Sequence, residues 1–198
     1  MNPWDLRYGE PEPAYGYEPN EFLRAMAEKI PPGPVLCLAE GQGRNAVWLA
    51  SQGWEVTAID ASSVGMESAR RLARARGVLI ETIVADLSTW EGPHGHWAGI
   101  VAIFGHFPAP VRERVHRAIP SWLRPGGVLL LEAYRPEQLQ HGIGGPPDLR
   151  LLYTLEQLAA DFAELEIERL EAVDREVREG RYHTGSGAVV QLVARRSE

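Results

Sequence analysis

The stretch 35–39, Val-Leu-Cys-Leu-Ala, runs directly into Glu40-Gly41-Gln42-Gly43-Arg44-Asn45-Ala46, and this junction constrains the chain more than any other feature. An apolar run without polar interruption is the pattern of a strand buried on both faces. The two glycines after it let the backbone turn sharply, and the amides of the helix that follows stay open to an anion. A strand buried on both faces needs helices on both sides of its sheet. The junction therefore predicts an α/β fold that binds at the carboxyl edge of its strands.

The rest of the chain continues the alternation of short apolar runs and amphipathic stretches. Helices are expected at 19–29, 44–52, 62–76, 111–123 and 154–162, and strands at 35–39, 55–59, 79–84, 100–104 and 128–133. Pro125-Gly126-Gly127 reads as a turn, and 138–148, rich in glycine and proline, as a surface loop. The pattern then changes to two long strands, 165–177 and 188–194, around a polar turn at Gly180, which suits an antiparallel hairpin. With 198 residues, 44% of them hydrophobic, one well-cored domain over 1–198 is expected. Its parts are an N-terminal lid and first helix (1–30), a cofactor-binding core (31–134), and a substrate-side loop, helix and hairpin (135–198).

Three carboxyl ends of predicted strands carry matching chemistry. The glycine turn closes the first, Asp60 the second, where a carboxylate can accept both hydroxyls of a ribose, and Asp86 the third, where it can fix an adenine amino group. In register they predict a nucleoside cofactor. Gly41, Gly43 and Ala46 with Asp60 also satisfy a relaxed dinucleotide fingerprint, so an NAD-dependent oxidoreductase is the alternative. The carboxyl third favours the other reading, since a dinucleotide fold needs a second half of parallel strands and this chain finishes in a hairpin.

The run Val35 to Ala46, with Val56-Thr57-Ala58-Ile59-Asp60, resembles the class I S-adenosylmethionine-dependent methyltransferases of the tellurite-resistance type. The resemblance extends through Tyr15-Gly16-Tyr17-Glu18-Pro19-Asn20, Leu123-Arg124-Pro125-Gly126-Gly127, and Glu179-Gly180 with His183. It implies a Rossmann-like, seven-stranded, mostly parallel sheet with an antiparallel final strand and helices on both faces, and S-adenosylmethionine as cofactor. Carried over residue by residue, Glu40, Gly41, Gly43, Arg44, Asn45, Asp60, Ala61, Asp86, Leu87 and Phe104 bind the cofactor. Asp60 holds the ribose, and Asp86 with Leu87 borders the adenine. Cys37 stands where most class I members carry an acid, and Ala39 where they carry glycine; either Glu40, the only carboxylate in the turn, compensates, or backbone carbonyls and water serve instead.

Methyl transfer from a sulfonium needs alignment and exclusion of water more than it needs a base. The loop Phe104-Gly105-His106-Phe107-Pro108 follows the fourth strand, and His106 is the candidate catalytic base or substrate ligand; a histidine bonded to backbone in a tight turn is the plainer account. Tyr134 and Arg135 are placed at the same mouth, with Tyr15 and His183 as further substrate contacts. The aromatic-rich start, Trp4, Tyr8, Tyr15 and Tyr17, is read as a lid. A small-molecule acceptor is expected, with a thiol or chalcogen oxyanion as its soft nucleophile. A non-catalytic nucleoside-binding module on the same fold is a further alternative.

Composition sets the outer limits. A net charge of -7 repels nucleic acid and anionic membranes, and Arg70, Arg71, Arg74 and Arg76 read as a solvated helix face. No run reaches the ~20 apolar residues of a membrane span. A lone cysteine inside an apolar strand points to a reduced, cytoplasmic protein. His94 and His96 lack the acidic or thiol company of a metal site, so no metal is expected. The expected assembly state is a monomer or weak homodimer.

Overall fold

The computed structural model describes residues 2–142 and 144–198. Its strands are β1 Pro34–Leu38, β2 Glu55–Asp60, β3 Glu81–Val84, β4 Trp97–Ile103, β5 Leu123–Tyr134, β6 Glu166–Arg178 and β7 Thr184–Arg195. They form one sheet in the order β3-β2-β1-β4-β5-β7-β6. The first five are parallel, while β7 runs antiparallel to both β5 and β6. The helices are α1 Pro3–Tyr8, α2 Glu21–Met26, α3 Arg44–Ser51, α4 Ser63–Ala75, α5 Ala109–Trp122 and α6 Leu155–Asp161. This is the Rossmann-like sheet of the class I methyltransferases that the sequence led us to expect.

Alternation along the strands divides the core into two layers. Leu36 and Leu38 join Ile100, Leu129 and Leu131 in packing against Val115, Ile119 and Trp122 of α5 and Leu158 of α6. Val35 and Cys37, with Val56, Val101 and Leu130, face Phe22 and Leu23 of α2, Leu49 of α3 and Met66 and Ala69 of α4. Both faces are covered, which is why the strands read as unbroken apolar runs.

Local chemistry sets the helices that border the site. α4 buries Gly65, Met66, Ala69 and Ala73 on one face, and the Ser62 side chain caps it by accepting from the Gly65 amide at 3.0 Å. α3 has glycine, Gly43, at its cap position and no side chain there to take its amides. Glu40 reaches forward instead and accepts from the Ala46 amide at 2.7 Å.

Three segments differ from expectation. The aromatic start contains α1, which is closed by a reciprocal pair: Asn2 accepts from the Trp4 amide, and Asp5 accepts from the Asn2 amide. The Pro-Gly-Gly turn is a bulge within β5, where pairing with β4 shifts from Trp97–Leu123 to Gly99–Val128. The helix expected over 19–29 starts at Glu21, capped by Asn20, and tightens into a 3-10 turn at Ala27–Lys29. The loop expected over 138–148 includes residue 143, which lies outside the described residues. Among the described residues, no helix is long and apolar enough to cross a membrane.

β1 has β2 on one side and β4 on the other, so the order of strands reverses between β1 and β4. A crevice opens at the carboxyl ends of such a pair.

Candidate active site

A cavity of about 560 Å³ occupies that crevice. It is walled by the segments that leave the strands: Ala39 and Glu40 after β1, Asp60 and Ala61 at β2, Ala85 to Leu87 after β3, and Ile103 to Pro108 after β4. Arg44, Asn45, Tyr15 and His183 complete the part that was expected.

Two of these wall residues, Ala39 (φ 50°) and Phe104 (φ 54°), have left-handed backbone without being glycine. Such conformations cost about 1–3 kcal/mol each and persist where the surroundings impose them. They stand at the ends of the two adjacent strands that open the crevice. Beside them Asp60, only 6% exposed, accepts from the Gly41 amide at 2.9 Å through one oxygen and from the Ser62 amide at 2.8 Å through the other. Burial raises its pKa, and those amides oppose the rise. Each oxygen keeps a second lone pair for a hydroxyl.

Gly41 and Gly43 lie behind the cavity wall. A Cβ on Gly43 would meet the Ala69 Cβ at 2.5 Å, and one on Gly41 would meet the Tyr8 hydroxyl at 2.6 Å. Glycine is needed there so that the turn can pack on α4 and under Tyr8. Burial pushes the Glu40 carboxyl up to about 7, against the pull of the Ala46 amide and Arg44. Asp86, on the exposed rim, is held below the usual range by the Ser88 amide, whose nitrogen is 2.7 Å away.

The loop after β4 is locked in place. The His106 Nδ1–H donates to the Leu151 carbonyl at 2.7 Å, and its Nε2 accepts from the Tyr134 amide at 3.2 Å. Both ring nitrogens are committed, which fixes a neutral tautomer, and burial pushes the imidazole down to about 4. Tyr153 adds a second anchor, donating to the Gly105 carbonyl and accepting from the Phe107 amide.

His183 is different. It precedes β7 and is 8% exposed, with ring centroids of Tyr15 at 4.4 Å, Phe104 at 4.5 Å and Tyr134 at 5.3 Å. Among the described residues its Nδ1 is buried without a hydrogen-bond partner. Burial, aided by the charge of Arg44, lowers its pKa well below the ordinary value. Tyr134 is buried behind the wall, stacked on Phe104 at 4.6 Å. Arg135, expected at the mouth, pairs with Asp174 and Glu137 and is not among the residues that line the cavity.

Two groups of residues escaped the sequence reading. The first is a buried polar network: Glu132 of β5 accepts from Asn20, Arg175 and Gln191, and Glu179 accepts from Asn20, Arg44 and Arg175. A carboxylate in the apolar run of β5 was its visible signal, because a buried charge needs partners. The second is Arg7 with Tyr182 of the hairpin turn, which line the cavity beside Trp4 and Tyr8 of the N-terminal arm, the segment read as a lid. The arm is tied down at Ser62, which donates to Asp5 at 2.6 Å, and at Glu10, which accepts from Tyr182 at 2.6 Å.

The donor set suits an adenosylated sulfonium amino acid. A buried carboxylate with spare lone pairs can accept ribose hydroxyls, a second acid sits on the rim, and a third acid, at the glycine turn, lines the same cavity. Residues 35–127 match the family model described as the methyltransferase domain. Among solved structures, the protein from work on conversion of a disulfide bond into a thioacetal group during echinomycin biosynthesis is 21% identical with a TM-score of 0.77, covering 98% of this chain and 88% of that one. A SAM-dependent methyltransferase from Methanosarcina mazei is 19% identical (TM-score 0.71; 91% and 99% covered). TehB from Haemophilus influenzae is 18% identical (TM-score 0.71; 89% and 62% covered). No protein of curated function matches in sequence. Residues 35–127 thus carry a methyltransferase domain.

Proposed function

We propose that the enzyme methylates a small molecule that attacks as a soft nucleophile, a thiol or a chalcogen oxyanion, held at the aromatic end of the cavity by Tyr15, Phe104 and His183. The observation that carries this reading is that both histidines described there are engaged or buried rather than poised as a base. His106 has both nitrogens occupied, and His183 is a buried neutral imidazole among aromatic rings. An alcohol or ammonium acceptor would have to lose a proton to such a group; an anionic acceptor would not.

The cofactor supplies a methyl group on a positively charged sulfur, which is displaced in line. Asp60 takes the ribose hydroxyls, Asp86 with Leu87 borders the adenine, and Glu40 faces the methionine ammonium in place of the acid missing at Cys37. Arg44 and Asn45 shape the wall beside it, with Ala61 near the ribose. Trp4, Tyr8 and Tyr15 act as a lid that keeps water out, and their faces favour a cation. His106 is a positioning residue that fixes the loop carrying Phe104.

Membership of the tellurite-resistance type is part of this proposal, supported by the Gly-rich turn with Arg-Asn and by the likeness to TehB. The neighbour tied to conversion of a disulfide into a thioacetal lends support to chemistry at sulfur. The test is S-adenosylhomocysteine release across thiol, selenite, tellurite, amine and alcohol acceptors. Turnover should appear with thiols or the oxyanions and follow the acceptor's own ionisation. Turnover confined to amines or alcohols, with a pH profile set by a protein group, would overturn the reading.

A further inference from the structure

We infer that Arg7 binds the α-carboxylate of the cofactor's methionine group, an inference that rests on the cofactor placement proposed above. Among the described residues lining the cavity, the cationic side chains are Arg7 and Arg44. Arg44 is already consumed: its guanidinium lies 2.5 Å from the Glu179 carboxylate. Arg7 has no carboxylate within 4 Å among the described residues, although it is half-buried in the cavity wall.

The Arg7 guanidinium is nevertheless held in one orientation. One nitrogen donates to the Tyr15 hydroxyl at 3.1 Å, and the group sits over the rings of Tyr182, at 4.5 Å, and Trp4, at 5.4 Å. The rings and the Tyr15 hydroxyl hold the group while its other N–H groups stay available, and the guanidinium fork can engage a carboxylate through two bonds. Position agrees with this. The adjacent Tyr8 covers Gly41, where an added Cβ would approach its hydroxyl to 2.6 Å, so Arg7 is stationed beside the glycine turn. Gln42 of the same turn donates to the Tyr8 carbonyl at 3.3 Å, so the end of α1 and the glycine turn are in contact.

The plainer account makes Arg7 a packing residue that rests on two rings near the end of α1. The two accounts part on whether affinity depends on a carboxylate in the bound molecule. Calorimetry with S-adenosylhomocysteine and with 5′-methylthioadenosine, which lacks the amino-acid group, separates them. Arg7→Gln should weaken S-adenosylhomocysteine by about tenfold and leave 5′-methylthioadenosine unchanged, with Arg7→Lys in between and melting temperatures unaltered. Equal affinity of wild type and Arg7→Gln for S-adenosylhomocysteine overturns the inference. So does an equal loss for both compounds, which would mean that Arg7 only props the arm. If neither compound binds the wild type, the proposed cofactor placement fails, and the inference with it.

Discussion

Arg44 and Glu179 are 135 positions apart in the chain, yet a guanidinium nitrogen of one lies 2.5 Å from a carboxylate oxygen of the other, both buried. The pair joins the glycine turn to the tip of the C-terminal hairpin, and Asn20 and Arg175 share the same carboxylate. Removing one partner of such a pair leaves buried charge uncompensated. Glu179→Ala should therefore lower the unfolding free energy by about 3–5 kcal/mol, read by chemical denaturation. Glu67→Ala, which breaks exposed pairs with Arg70 and Arg74 on α4, should give no measurable change. Similar losses in both would mean that burial of the network contributes nothing.

His106 makes two hydrogen bonds to backbone, so its loss should register as stability before it registers as chemistry. His106→Ala leaves the Leu151 carbonyl and the Tyr134 amide without partners, at about 1–3 kcal/mol for each group that stays dry. With its pKa down at about 4, the wild-type imidazole contributes no inflection to the rate between pH 5 and 8. A stable His106→Ala protein with single-turnover rates down by about 100-fold at saturating acceptor would make His106 the base after all.

Glu40 gives a pH dependence of opposite sign to that of an ordinary paired carboxylate. Its folded value, about 7, lies above the ordinary value of 4.5, so it contributes stability that is fully present below 4.5 and lost as pH rises through about 7. His106 and His183, whose values are depressed, contribute in the other direction, so wild type alone mixes the two effects. Comparison with Glu40→Gln separates them, because the amide carbonyl can still accept from Ala46. The two melting temperatures should coincide near pH 4.5 and diverge above it, the variant becoming the more stable. A difference that stays constant with pH would show that Glu40 ionises as freely as a surface acid.

Much of this was legible in the sequence because it is periodic or local. Alternation marked the buried strands, and a carboxylate or glycine at each strand end marked Asp60, Asp86 and the turn at Glu40. What escaped was short or long-range. α1 is too brief to show a period, although Asn2, Pro3 and Asp5 carry the cap, first-turn and reciprocal-acceptor residues of a helix start. The network of Glu132 with Arg175 and Glu179 is assembled only when β7 inserts between β5 and β6. His183 was read as a substrate contact, but the rings that surround it come together only in the tertiary structure.

That placement supports the last prediction. A buried imidazole whose Nδ1 has no partner is a cost to the fold, since a lone polar atom forfeits its bonds to water. Phenylalanine has nearly the same ring without the cost, and Tyr15, Phe104 and Tyr134 already form an aromatic surround for it. His183→Phe should thus be neutral or stabilising by about 1 kcal/mol in denaturant titration. If the imidazole contacts the acceptor, the same variant must lose apparent acceptor affinity by about tenfold, the scale of one hydrogen bond. Calorimetric affinity for S-adenosylhomocysteine should not move. A destabilised His183→Phe would instead make the imidazole part of the folded framework. A stable variant with undiminished acceptor affinity would remove His183 from the acceptor end of the cavity.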